Sequence, residues 1–110
     1  MNPILIVDDN EQILEILSQY IDREGWPYLA ARSGEEALEL FNAASPSLIL
    51  LDVMLPGIDG LEVCRRIRSV SSIPILMITA KYSGVVDRDN RHNTDLRKLL
   101  HNVHGKNLLK

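Results

Sequence analysis

The feature that most constrains the fold is the run at residues 48–51, four consecutive aliphatic side chains that end abruptly in Asp52. A run without polar alternation predicts a strand that is buried on both faces, as in a parallel sheet. Open α/β sheets bind ligands at the carboxyl ends of such strands. Asp52 is therefore a candidate functional residue, although a carboxylate after one isolated apolar run more often only caps a loop.

The rest of the chain alternates short apolar strands with amphipathic helices. Strand-like segments lie at residues 4–7, 28–31, 48–52 and 74–79. Between them, apolar residues at helical spacing predict helices at about 11–24, 34–44 and 60–69. A capping residue precedes each helix, namely Asn10, Ser33 and Asp59. The order β-α-β-α-β-α-β with right-handed crossovers predicts an α/β fold, a doubly wound parallel sheet with helices on both faces.

The composition is that of one globular domain. The chain has 110 residues, of which 45% are hydrophobic and 25% are charged. Its single cysteine, Cys64, suits a reducing compartment, and its apolar neighbours make it a packing residue. No apolar stretch approaches the length that spans a membrane, and the amino terminus lacks the layout of a signal peptide. We therefore expect a cytoplasmic protein.

Carboxylates end two of the predicted strands, with Asp8 and Asp9 after the first and Asp52 at the end of the third. Three carboxylates at one edge of a sheet repel one another unless a cation lies among them. An oxygen-only ligand set suits Mg²⁺, which keeps some of its water and is commonly shared with phosphate oxygens. A carboxylate can also attack phosphorus and form an aspartyl phosphate. The pattern predicts a phosphoryl-acceptor site, to which Thr79 offers a hydroxyl from the fourth strand.

Three motifs resemble the receiver domain of two-component response regulators, and the resemblance covers about residues 1–81. The motifs are Ile-Leu-Ile-Val-Asp-Asp-Asn at 4–10, Leu-Ile-Leu-Leu-Asp-Val-Met-Leu-Pro-Gly-Ile-Asp-Gly at 48–60 and Pro-Ile-Leu-Met-Ile-Thr-Ala at 74–80. The resemblance implies a flavodoxin-like sheet of order 2-1-3-4 and a signalling module that is not an enzyme. The sequence of residues 55–68 is similar to that of receivers that precede a winged-helix DNA-binding domain.

The resemblance also implies roles for particular residues. Asp52 would accept a phosphoryl group from a sensor histidine kinase, and Thr79 would contact that group. Asp8, Asp9 and Asp52 would hold Mg²⁺, with the backbone carbonyl of Met54 as a further ligand.

The chain departs from the family pattern after residue 81. Receivers carry a fifth strand that ends in Lys-Pro, and this lysine neutralises the phosphoryl group. Here no proline follows Pro74, and the equivalent position falls near His101. Lys98 lies in a predicted helix, Lys81 comes too early, and the aromatic switch residue of that strand is missing. We therefore expect the fifth strand to be missing or replaced, through natural divergence, engineered replacement or a change of reading frame.

Residues 82–110 form a basic tail behind an acidic body. Residues 1–80 contain five Lys/Arg against twelve Asp/Glu, whereas residues 81–110 contain seven against three. The pattern predicts loop or weak helix over 82–92 and one amphipathic helix at about 94–104, capped by Thr94. Interspersed carboxylates favour a solvated helix face over direct nucleic-acid binding. Unless this helix covers it, the fourth strand is an exposed apolar edge through which a homodimer could form.

Two other functions remain open from the sequence. A receiver-derived interaction module would bind a kinase or a second receiver without switching, and the missing lysine favours it. A Mg²⁺-dependent phosphatase with an aspartate nucleophile would need a second aspartate two residues after the first, where this chain has Met54. Mg²⁺-dependent phosphorylation would distinguish a phosphoacceptor from a silent interaction module.

Overall fold

The computed structural model describes residues 2–78 and, further along, the backbone of two short strands. The elements in chain order are β1 (Ile4–Val7), α1 (Glu11–Arg23), β2 (Tyr28–Ala31), α2 (Gly34–Ala44), β3 (Leu48–Asp52), α3 (Gly60–Arg68), β4 (Ile75–Ile78), β5 (Val85–Asp87) and β6 (Asn93–Thr94). The four strands and three helices up to residue 78 follow the prediction to within one residue at each end.

Strands β1 to β4 form the predicted parallel sheet. The full strand order is β2-β1-β3-β4-β5-β6, so the first four strands stand in the order 2-1-3-4. Val7 pairs with both Ala31 and Leu51, and Asp52 pairs with Ile78. The carboxyl ends of β1, β3 and β4 therefore lie side by side at one edge of the sheet.

Helices cover both faces of the sheet because alternate residues of each strand point to opposite faces. On one face the strands pack against α1, through residues that include Leu14 and Ile21. On the other face they pack against α2 and α3, through residues that include Ala37 and Ile67. Cys64 is buried in this second cluster, which confirms it as a packing residue.

The predicted capping residues begin the helices. The Ser33 hydroxyl accepts the Glu36 N–H at 3.1 Å, while the Glu36 carboxylate accepts the Arg32 N–H at 2.8 Å. Asp59 caps α3 through the Glu62 N–H at 2.9 Å. The Glu62 carboxylate does not reach back, because it pairs instead with the two arginines of the next turn.

The structure corrects the prediction for the segment after β4. Residues 82–92 are predicted to be loop or weak helix, but β5 lies within them and pairs antiparallel with β4, with Val85 opposite Ile78. Thr94 is predicted to cap a helix, but it lies in β6, which pairs antiparallel with β5. Adjacent β-branched residues favour a strand, and the free edge of β4 offers unpaired backbone groups for it to meet. The tail therefore does cover the edge of β4, but with a strand where the sequence analysis considered a helix.

The remainder of the predicted helix at 94–104 lies outside the described residues, so residues 95–104 stay a prediction. Within residues 2–78 no helix is both long enough and apolar enough to cross a membrane.

Candidate functional site

Two adjacent strand ends bring three carboxylates together. Because Val7 of β1 pairs with Leu51 of β3, the next residues, Asp8 and Asp52, are neighbours at the edge of the sheet. One oxygen from each of Asp8, Asp9 and Asp52 lies within 4.8 Å of the other two. Asp8 is 3% exposed and Asp52 is 7% exposed, whereas Asp9 is open to solvent. The cluster therefore combines two buried acids with one that faces water.

The two buried carboxylates are held in the same way. Oδ1 of Asp8 accepts the backbone N–H of Asn10 at 2.9 Å. Oδ1 of Asp52 accepts the backbone N–H of Met54 at 3.1 Å. Each contact comes from the amide two residues further along, the geometry of an Asx turn. Among the described residues no donor contacts Oδ2 of Asp52.

The environment of Asp8 disfavours its charge. The pKa of Asp8 is raised from 3.8 to about 6: burial is the largest cause, the Asn10 N–H acts in the opposite direction, and the neighbouring Asp52 and Asp9 add to the increase. The ion pairs between residues 2 and 78 join Arg32 to Glu11 and two arginines to Glu62, and none involves the cluster. Within that part of the chain, the three acids have no cationic side chain to offset their mutual repulsion.

This set of ligands suits a hard divalent cation. Mg²⁺ prefers oxygen ligands, is commonly bound through one or two carboxylates, and retains several waters. The solvent-exposed side of the cluster at Asp9 leaves room for those waters. The residues present therefore fit Mg²⁺.

The loop after Asp52 returns closely to the end of β3. The Gly60 N–H donates to the Val53 carbonyl at 3.1 Å. A Cβ atom at Gly60 would lie 2.2 Å from the carbonyl oxygen of Asp52 and 2.9 Å from Cα of Val53, so only glycine permits this approach. Sequence reasoning missed this role, although a glycine directly after the helix cap Asp59 is a signal, since glycine is a poor helix former.

The structure confirms the predicted positions of some site residues, while others lie outside the described residues. The structure brings Asp8, Asp9 and Asp52 together as the sequence predicts. Met54 contacts Asp52 through its N–H, while its side chain is 73% exposed; its carbonyl as a metal ligand remains a prediction. Thr79, which directly follows the last residue of β4, lies outside the described residues. Three further residues that the sequence analysis considered also lie outside them: Lys81, Lys98 and His101.

A parallel sheet of order 2-1-3-4, covered by helices on both faces, is the arrangement of the flavodoxin-like class of domains, and here its carboxyl edge carries three acids. Comparison with known families is more specific, because the profile for the response regulator receiver domain matches residues 4–100. The chain belongs to the response regulator receiver domain family.

Individual relatives agree with this assignment. Transcriptional regulatory protein AfsQ1 of Streptomyces coelicolor is 46% identical over 85 residues, which is 77% of this chain and 38% of AfsQ1. The chain thus spans well under half of that curated relative.

Solved structures match the fold directly. Response regulator protein TrrA from Thermotoga maritima, in complex with Mg²⁺ and BeF, has a TM-score of 0.70 and 42% identity, covering 76% of this chain and 72% of that one. The N-terminal domain of a response regulator receiver protein from Methanoculleus marisnigri has a TM-score of 0.69 and 41% identity, covering 73% and 68%. The four-stranded parallel sheet with its helices is that of flavodoxin-like receiver domains.

Proposed function

We propose that this chain is the receiver module of a two-component phosphorelay, in which Asp52 accepts a phosphoryl group from a sensor histidine kinase. In this proposal Asp8, Asp9 and Asp52 hold Mg²⁺. The observation that carries it is the convergence of three carboxylates within 4.8 Å at the end of two parallel strands. Receiver domains are signalling domains and not classical enzymes, so at most the chain assists its own phosphorylation and hydrolysis.

The transfer requires one bond to break and one to form. The P–N bond of the donor phosphohistidine breaks, with its electron pair remaining on the imidazole nitrogen, and a P–O bond forms to a carboxylate oxygen of Asp52. The Met54 N–H holds Oδ1 of Asp52, so Oδ2 is the oxygen that we expect to attack. Mg²⁺, when bound, offsets the charge on the phosphoryl oxygens. The contribution of the chain is to position the acceptor and to gather ligands around it.

Two further roles belong to the same proposal. Thr79 would contact the phosphoryl group, supported by its place in the sequence directly after Ile78, the residue that pairs with Asp52. The carbonyl of Met54 would complete the metal ligands, supported by the turn that already brings the Met54 amide onto Asp52. A cytoplasmic location is in keeping with the single, buried Cys64.

The silent interaction module is not favoured. A module that only binds partners does not require buried, mutually repelling acids, yet Asp8 and Asp52 are both buried, with carboxylate oxygens within 4.8 Å of one from solvent-exposed Asp9. Such an arrangement is unfavourable without a cation. Its presence supports a site that works with bound Mg²⁺.

Phosphorylation by a small acyl phosphate tests the proposal. The mass of the intact protein is measured after incubation with acetyl phosphate, with Mg²⁺ and with a chelator, for the wild type, Asp52→Ala and Asp22→Ala. Asp22 is an exposed aspartate of α1 and serves as the matched control. We expect a phosphoryl adduct on the wild type and on Asp22→Ala only with Mg²⁺, and none on Asp52→Ala. A folded wild type without an adduct would contradict the proposal and favour the interaction module.

A further inference from the structure

We propose that Asn10 is a positioning residue for Asp8, fixing from outside the cluster the direction in which the Asp8 carboxylate faces the metal. The inference rests on the proposed function, because it assigns a role to Asn10 in the same Mg²⁺ site. Asn10 is exposed, its side-chain oxygen accepts two backbone N–H groups of α1, and its own N–H donates to Asp8. Its effect on the metal must therefore pass through Asp8.

The first link is the hydrogen bond between the Asn10 amide and Asp8. The backbone N–H of Asn10 donates to Oδ1 of Asp8 at 2.9 Å. This contact occupies one carboxylate oxygen and sets the plane of the carboxylate. The direction of the amide thus decides where the second oxygen of Asp8 points.

The second link fixes that amide. Oδ1 of Asn10 accepts the N–H of Gln12 at 2.9 Å and the N–H of Ile13 at 3.2 Å. The Asn10 carbonyl accepts the N–H of Leu14 at 3.1 Å. Side chain and carbonyl together attach Asn10 to the first turn of α1, which holds its own amide in one orientation.

The third link joins the helix to the sheet. Leu14 and Ile21 of α1 are buried in the core on that face of the sheet, so the helix does not move freely relative to β1. A continuous series of contacts therefore runs from the core through the first turn of α1 and Asn10 to the carboxylate of Asp8. Ser33 caps α2 in the same manner, but no hydrogen bond joins it to the three acids, so it provides a matched comparison.

The expected effect is on metal affinity. Residues that orient metal ligands typically change affinity by roughly 10- to 100-fold when they are replaced. Asn10→Ala keeps the backbone amide and only releases it from the helix cap, so we expect the lower end, a loss of about tenfold in Mg²⁺ affinity. Serine is also a good helix cap, so Asn10→Ser should restore the wild-type affinity.

Isothermal titration with MgCl₂ tests the inference on the full chain. The variants are wild type, Asn10→Ala, Asn10→Ser and Ser33→Ala, at a temperature where circular dichroism shows each to be folded. We expect weaker Mg²⁺ binding only for Asn10→Ala. Unchanged binding by Asn10→Ala, equal weakening by Ser33→Ala, or binding by Asn10→Ser as weak as that of Asn10→Ala would each overturn it.

The same titration separates this inference from the proposed function. If the folded wild type binds no Mg²⁺, the proposed function fails and the role of Asn10 fails with it. If the wild type binds Mg²⁺ and all four proteins bind it equally, the proposed function stands and only the role of Asn10 is overturned.

Discussion

Asp8 lies at the end of β1 with its carboxylate buried, where its ionised form is disfavoured. Its pKa in the folded chain is about 6, against 3.8 for the free residue, and burial is the main cause. Between these two values the folded protein retains a proton that the unfolded chain has released. The contribution of Asp8 to stability is therefore greatest below pH 3.8, falls as the pH rises to about 6, and is constant above that.

Replacing Asp8 with asparagine removes this titration and keeps a carbonyl oxygen for the Asn10 amide. Without metal, we expect Asp8→Asn to be more stable than wild type at neutral pH, on the order of 2 kcal/mol, and no more stable below the pKa of the free acid. Urea unfolding in a chelator at the two pH values measures the difference. Equal differences at both pH values would contradict the shifted pKa of Asp8.

At the scale of elements, the start of α3 packs directly against the end of β3. Gly60 leaves no space for a side chain against the Asp52 carbonyl. The helix thereby holds the loop that carries the Met54 amide, which in turn orients Asp52. The orientation of the Asp52 carboxylate therefore depends on how a helix packs against a strand, and not only on the residues around it.

Gly60→Ala tests that dependence. The added methyl group must push α3 and its loop away from β3, and a displacement of about 1 Å can slow a positioned reaction about 10²-fold. We expect such a loss in the initial rate of phosphorylation by acetyl phosphate at saturating Mg²⁺. Gly25→Ala is the control: Gly25 has φ +79° but no atom within 4 Å of an added Cβ, so its replacement should cost stability and leave the rate unchanged. A folded Gly60→Ala protein that reacts at the wild-type rate would contradict this account.

At the scale of the whole molecule, the sheet continues beyond its four parallel strands. β5 pairs antiparallel with β4, and β6 then forms the outer edge. The paired residues of β4 are Leu76, Met77 and Ile78. Removing the later strands would leave that apolar strand with unpaired backbone groups.

Truncation to residues 1–81 tests the protective role of β5. An unpaired, apolar edge strand pairs readily with another chain, so we expect concentration-dependent dimers or larger species for 1–81 and not for the full chain. Size-exclusion chromatography with light scattering compares the two over a range of concentrations. A folded 1–81 chain that stays monomeric at every concentration would show that β4 needs no partner.

The sequence alone predicts most of this arrangement, for a physical reason. Burial on both faces requires unbroken apolar runs, so the strands that end in Asp8 and Asp52 are visible in the residue pattern, and parallel topology brings their ends together. The pairing of β5 is not visible, since two adjacent valines, Val85 and Val86, are too short a signal without the free edge of β4 with which they pair. The cap formed by Asn10 follows from the sequence, but the hydrogen bond from its amide to Asp8 does not, because it depends on the path of the loop in space.

The most direct test of the central claim identifies the phosphorylated residue. Borohydride delivers hydride to an aspartyl phosphate and converts that residue to homoserine with release of phosphate, so the reduced position can be located by peptide mass mapping. After incubation with acetyl phosphate and Mg²⁺, we predict homoserine at position 52 alone, and none when Mg²⁺ is chelated. Homoserine at position 8 or 9, or modification that is independent of Mg²⁺, would contradict the assignment of Asp52 as the acceptor in a carboxylate-bound Mg²⁺ site.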